Sequence, residues 1–406
     1  MSLTLSTLVL VPAAAVAAPL VASALNRVVK IPLVVFEILL GLLLGPSILG
    51  WVTVSDFTST LANFGLAMLF FLAGNEIDFS AIRGRPMVRA GLGWLISLVA
   101  GLAAGILLTH SVVIGVFVGI ALTSTALGTI MPGLRDAGEL RTPFGVAVMA
   151  VGAAGEFGPL VAISLFLSGR SPLTSSLVLI AFVAIAVAAI WLASRGTYRR
   201  LHRLITATLH TSGQFAVRLV MLVLAALACL SIAFGLDMLL GAFAAGILCR
   251  VLLSGAKPAD RAEIETKLEA VGFGFLVPVF FINTGVTFDL RSLVADPNVL
   301  LLLPIFLLLF LVIRGIPGTL ASPTGSVWAD RGSLLLFSAT GLPIIVAVTN
   351  IGVENHSLSA GTAAALVGAG MLSVLIFPAI ALVLRHRSPD GRGRGPDSGI
   401  HVIEEA

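Results

Sequence analysis

Charge is what this sequence has least of. Only 11% of its 406 residues are Asp, Glu, Lys or Arg, where a soluble domain carries roughly 25%. So few charges cannot cover a water-facing surface, which excludes a soluble enzyme or binding module. Cysteine is scarce too. Cys229 and Cys249 stand in separate apolar runs, so a disulfide framework is excluded and two buried thiols are expected. The six histidines (His110, His202, His210, His356, His386 and His401) fall in loops, near helix ends or in the tail. No H-x-x-x-H pair or Cys/His cluster occurs, so no metal site is expected. The G-x-x-x-x-G-K-[ST] phosphate loop is missing, which excludes ATP as an energy source within the chain. No cofactor and no nucleic-acid partner are expected.

What the sequence has is hydrocarbon. Hydrophobic residues make up 58% and mean hydropathy is +1.10. Apolar runs recur that are about 20 residues long, enough for a helix to cross the bilayer core. In lipid every backbone polar group must be satisfied within the protein, which leaves helices or closed barrels. The runs are continuous rather than alternating, so barrels are excluded.

Thirteen spans are predicted, roughly 3–25, 32–52, 57–76, 87–109, 111–133, 142–168, 173–194, 214–233, 235–254, 268–288, 298–320, 331–351 and 359–384. The first has no basic n-region and no cleavage site, so it reads as a span rather than a signal peptide. Twenty Lys and Arg residues follow odd-numbered spans, from Arg27 to Arg394, and only Arg170 and Arg291 follow even-numbered ones. Positive loops stay in the cytoplasm. This split predicts an outside N-terminus and a cytoplasmic C-terminus. The tail over 386–406 reads as disordered, and no soluble nucleotide-binding domain is read.

Thirteen spans suit a six-plus-six inverted repeat around one linker helix, an all-α architecture used by many secondary transporters. An offset of seven pairs helix 5 with helix 12. Helix 5 carries Thr123-Ser124-Thr125 and helix 12 carries Thr340-Gly341-Leu342-Pro343. Ser and Thr compete for backbone hydrogen bonds, and Pro removes a donor. These are either ordinary packing residues or two interrupted crossing helices with a midplane site. The matched positions favour the second reading, with helix breaks at Gly341 and Pro343.

Charges inside spans are candidate functional groups. Glu156 lies fifteen residues from Arg141 and fourteen from Arg170, at the bilayer centre, where an ionised acid costs on the order of 3 kcal/mol. A proton or a bound cation would remove that cost. Arg314 stays charged and lies within helix 11. It either snorkels to the cytoplasmic interface or pairs with an acid or a helix C-terminus in the core. Glu76 could be that partner or could be solvated, and Asp78 beside it reads as interfacial. Glu37 reads as a structural hydrogen-bonding group and Asn283 as an interhelical one. Gly101-Leu102-Ala103-Ala104-Gly105 forms a G-x-x-x-G packing face.

Over residues 5–385 these features resemble the monovalent cation:proton antiporter superfamily, in its branch of sodium/hydrogen-exchanger-like and potassium-efflux-like carriers. The resemblance rests on Ile31-Pro32 with Glu37, Gly45-Pro46-Ser47-Ile48-Leu49-Gly50 and Phe71-Leu72-Ala73-Gly74-Asn75-Glu76-Ile77-Asp78. It continues through Ala121-Leu122-Thr123-Ser124-Thr125-Ala126, Gly241-Ala242-Phe243-Ala244-Ala245-Gly246 and Arg314-Gly315-Ile316-Pro317. The resemblance implies a homodimer, with helices 1–3 and 8–10 as dimerisation scaffold and helices 4–6 and 11–13 as ion-translocating core. It also implies an ion-binding acid on helix 6, often within Asp-Asp or Asn-Asp, and a basic residue on helix 11, often Lys. Gly155-Glu156 and Arg314 stand at those positions, so the first acidic or amide residue is missing and the second is Glu.

The expected function is exchange of Na⁺ or K⁺ for protons by alternating access. Glu156 would bind ion or proton, with oxygens from Thr123, Ser124 and Thr125, since hard cations take oxygen ligands. One carboxylate predicts electroneutral exchange. An ion sensor or channel-like protein and an organic-solute carrier are the alternatives on the same scaffold. An intramembrane enzyme would need a nucleophile–base or metal constellation, and none is found. The bias of 21 Arg to 3 Lys suggests a GC-rich prokaryotic genome, hence a cell membrane.

Overall fold

The computed structural model describes residues 5–25, 32–77, 82–167, 171–195, 214–253 and 257–388. Asp78, Arg170, residues 196–213 and residues 389–406 lie outside the described residues. Among the described residues the regular elements are helical, with no strand. The first seven helices are α1 (Leu5–Leu25), α2 (Leu33–Leu44), α3 (Asp56–Glu76), α4 (Arg85–Thr109), α5 (Val112–Leu122), α6 (Leu127–Asp136) and α7 (Pro143–Phe166). Then come α8 (Pro172–Arg195), α9 (Phe215–Ala233), α10 (Met238–Leu253), α11 (Pro258–Val271) and α12 (Val277–Thr287). After a short helix at Leu290–Ala295, the longer helices that follow are α13 (Pro297–Leu309), α14 (Trp328–Ser338), α15 (Pro343–Glu354) and α16 (Ala360–His386). Among the described residues, ten continuous or nearly continuous segments are long and apolar enough to cross a membrane, and three shorter apolar helices accompany them. The protein is a multi-pass α-helical membrane protein.

Some boundaries differ from the sequence expectation. The second span stops being helical at Leu44 and continues as turns, so Glu37 sits one turn into its helix. The tenth span begins earlier, with the charged α11, and runs into α12 through a π-helical turn over Gly272–Leu276. A second π-helical turn, Phe310–Gly315, follows α13 and carries Arg314. Single π turns inside helices recur at functional sites.

The described helices fall into two compact units. The first holds α1 to α3 and the chain from Leu160 to Arg291. Its core includes Val11, Ala14, Val52, Val279, Ile282 and Val286. Arg250, at the end of α10, donates to the carbonyls of Asn75 and Glu76 at 2.8 and 3.2 Å, satisfying acceptors that the last turn of α3 leaves open. Glu37 is buried in this unit, and Asn283 is half-buried.

The second unit holds α4 to α6, α7 as far as Pro159, and α13 to α16. The G-x-x-x-G face of α4 packs on α5: a Cβ at Gly105 would stand 2.3 Å from the Gly115 carbonyl oxygen. Only glycine permits that approach. Arg385, which follows the thirteenth predicted span, is the last buried charge of α16. Its guanidinium meets Glu139 at 2.9 Å and Asp330 at 2.5 Å and lies 4.6 Å from the centre of the Phe144 ring. Sequence reading missed this cluster, because its members look like ordinary loop and helix-end charges.

Candidate functional site

Two helices of the second unit are broken in mid-course. Residues 123–126 separate α5 from α6, and residues 339–342 separate α14 from α15. Non-helical backbone at membrane depth needs protein around it. It has that here, because 83% of the apolar window of Trp328–Glu354 is buried, against 28% for the span Pro297–Ala321.

The two breaks lie against each other, and their backbone donors can be followed one by one. Thr123 N and Ser124 N close turns onto Ile120 and Ala121 at 3.0 and 3.4 Å. Thr125 N donates to the Gly155 carbonyl at 3.0 Å, and Ala126 N donates to the Thr340 carbonyl of the other break at 2.7 Å. Leu127 N then donates to Glu156 Oε1 at 2.9 Å, with Gly128 N at 3.5 Å. The buried Glu156 carboxylate, 5% exposed, therefore caps the N-terminus of α6, where the helix dipole favours negative charge. At the second break Gly341 N donates to Ser373 Oγ at 3.1 Å, and Pro343 begins α15 at a position where a helix needs no N–H.

The three hydroxyls of the first break do different things. Thr123 and Ser124 donate to Ile120 and Ala121 carbonyls at 2.8 and 3.0 Å, finishing α5. Thr125 Oγ1 donates to the Ser338 carbonyl at 2.6 Å and accepts from Arg314 Nε at 2.8 Å. All three residues are buried.

Arg314 is 0% exposed, which rules out snorkelling. Nη2 donates to the Val151 carbonyl on α7 at 2.7 Å, and Nη1 has no acceptor among the described residues. No described carboxylate forms an ion pair with it. Its charge faces peptide dipoles instead, including the C-terminal carbonyl of α14 reached through Thr125. Glu76 ends α3 in the first unit. Among the described residues no group of three His, Cys, Asp or Glu could hold a metal ion.

A family model described as "Sodium/hydrogen exchanger, transmembrane" matches residues 13–382. The chain is similar to YjbQ of Bacillus subtilis (strain 168), 26% identical over 86% of this chain and 58% of that protein. It thus spans less than two thirds of that relative's length. An Na(+)/H(+) antiporter of Enterococcus hirae is 24% identical over 89% of this chain and 93% of its own. Among solved structures, the sodium proton antiporter MjNhaP1 from Methanocaldococcus jannaschii matches with a TM-score of 0.61. That match is 17% identical and covers 91% of this chain and 94% of that one, a likeness of fold.

Proposed function

The chain belongs to the sodium/hydrogen exchanger family, and from that membership we propose that it is a secondary antiporter exchanging a monovalent cation, Na⁺ or K⁺, for protons. One observation supports the reading most directly: the buried carboxylate of Glu156 receives the amides of a broken helix. A proton and a cation would compete for that carboxylate. Oxygens of the break at Thr123, Ser124 and Thr125 would complete the shell of the bound ion. Loaded or protonated, Glu156 is neutralised and the site can cross between the two faces. Empty and ionised in hydrocarbon, it bears the full desolvation cost, which couples the two fluxes in alternating access.

With one carboxylate in the cycle and Arg314 charged throughout, exchange is one-for-one and electroneutral. The second unit is the ion-translocating core, and the first is the scaffold on which a second copy docks. The N-terminus is outside and the C-terminus in the cytoplasm of a prokaryotic cell membrane, as the Lys and Arg split favours.

The test is proton flux in proteoliposomes, driven separately by Na⁺ and by K⁺, for the native chain and Glu156→Gln. Native protein should dissipate a pH gradient with at least one cation and leave membrane potential unchanged, and Glu156→Gln should be at background. Absent cation-driven flux in the native protein would reject antiport. Charging of the vesicles in proportion to turnover would reject electroneutrality alone.

A further inference from the structure

Gly155 is where the broken backbone touches the helix that carries Glu156. A Cβ at Gly155 would stand 2.5 Å from Arg314 Nη2, 2.5 Å from Thr125 Oγ1 and 2.6 Å from Thr125 Cβ. The guanidinium tip could swing aside. Thr125 Cβ cannot, because the Thr125 backbone is tied at 3.0 Å to the Gly155 carbonyl and the next residue at 2.7 Å to Thr340. The space for a side chain at 155 is thus already taken, jointly, by Arg314 and Thr125. Two residues beyond Thr125, Leu127 N donates to Glu156 Oε1 at 2.9 Å. Any outward shift of Thr125 lengthens that charge-assisted bond, and hydrogen bonds weaken steeply with stretch and misalignment.

We propose that Gly155 is a specificity-determining position of the ion site and Arg314 its positioning partner. The guanidinium fills the place of a side chain at 155 and holds Thr125. It thereby sets how closely the α6 amides approach Glu156 and bars a second carboxylate from the site. Arg314 acts through Thr125 and is no ion ligand, because a guanidinium has donors only. This inference rests on the antiport reading above.

The experiment is cation-driven proton flux in proteoliposomes, with thermal melting measured on the same preparations. Gly155→Ala and Thr125→Val should each raise the cation KM about tenfold or more, the effect of losing one hydrogen bond to a charged group. The double variant should be no worse than the worse single, since both break one contact. Arg314→Lys should fall between native and these, because one ammonium cannot span Thr125 and Val151 as a planar fork does. A purely structural role would lower the melting temperature and leave KM unchanged. If Gly155→Ala does not fold, Thr125→Val carries the test. Gly155→Asp should lose exchange rather than become current-generating.

A cation KM within about twofold of native in Thr125→Val, or an active Gly155→Asp that charges the vesicles, overturns this proposal and leaves antiport standing. Native protein without cation-driven flux overturns the antiport reading and this inference with it.

Discussion

The two broken helices of the second unit solve one problem with different chemistry. Each leaves amides without helical partners where no water can serve them. At the first break Leu127 and Gly128 turn to a carboxylate, Glu156. At the second, Gly341 turns to a hydroxyl, Ser373, which itself donates to the Gly370 carbonyl at 2.7 Å, and Pro343 removes one donor altogether. A hydroxyl is neutral at every relevant pH and fixes its break permanently. A carboxylate binds its break most strongly when ionised, and less so once a proton or cation shares the charge. Under the proposed antiport, this asymmetry would let one break respond to ion occupancy while the other serves as a fixed counterpart.

Glu156→Gln breaks this comparison most strongly. An amide oxygen can still accept from Leu127 N, so the first break becomes a permanent cap like the second. Exchange should fall to background while the melting temperature changes little, which flux and thermal melting measured together would check.

Next in size is Arg385→Met, which strips the cation from two buried carboxylates, Glu139 and Asp330. Removing one partner of a buried ion pair costs about 3–5 kcal/mol. Melting should drop accordingly, with the cation KM of the folded fraction unchanged. That result would set Arg385, which is ion-paired to two acids, apart from Arg314, which forms no ion pair among the described residues.

Ser373→Ala removes the acceptor for Gly341 N and should cost about 1–3 kcal/mol, read as a lower melting temperature with exchange retained. Loss of exchange would mean that the second break also takes part in transport. The smallest effect is expected of Phe144→Leu, which loses the ring under Arg385 and its tilted contact with Phe337, 6.3 Å away. About 1 kcal/mol of stability should go, with no change in exchange.

Much of this was readable in one dimension. An apolar run must be a helix in lipid, a Thr-Ser-Thr or Gly-Leu-Pro within it weakens that helix, and an acid at mid-run has no water to solvate it. These are local statements, and they point to the segments at 123–126 and 339–342 and to Glu156. The partners were not readable. Arg314 reaches Thr125 across 189 residues and Arg385 reaches Glu139 across 246, and no periodicity encodes such pairings.

The sequence alone determined that this chain spans the membrane as helices, where those helices weaken, and that Glu156 is an acid in the middle of an apolar run, because the cost of polar groups in hydrocarbon is set residue by residue. Only the tertiary structure decided which amides meet Glu156, that Arg314 donates to a hydroxyl and a peptide carbonyl, and that Gly155 has no room for a side chain. Those outcomes depend on contacts within a few ångströms between segments far apart in the chain, and packing fixes them only when all the helices are in place.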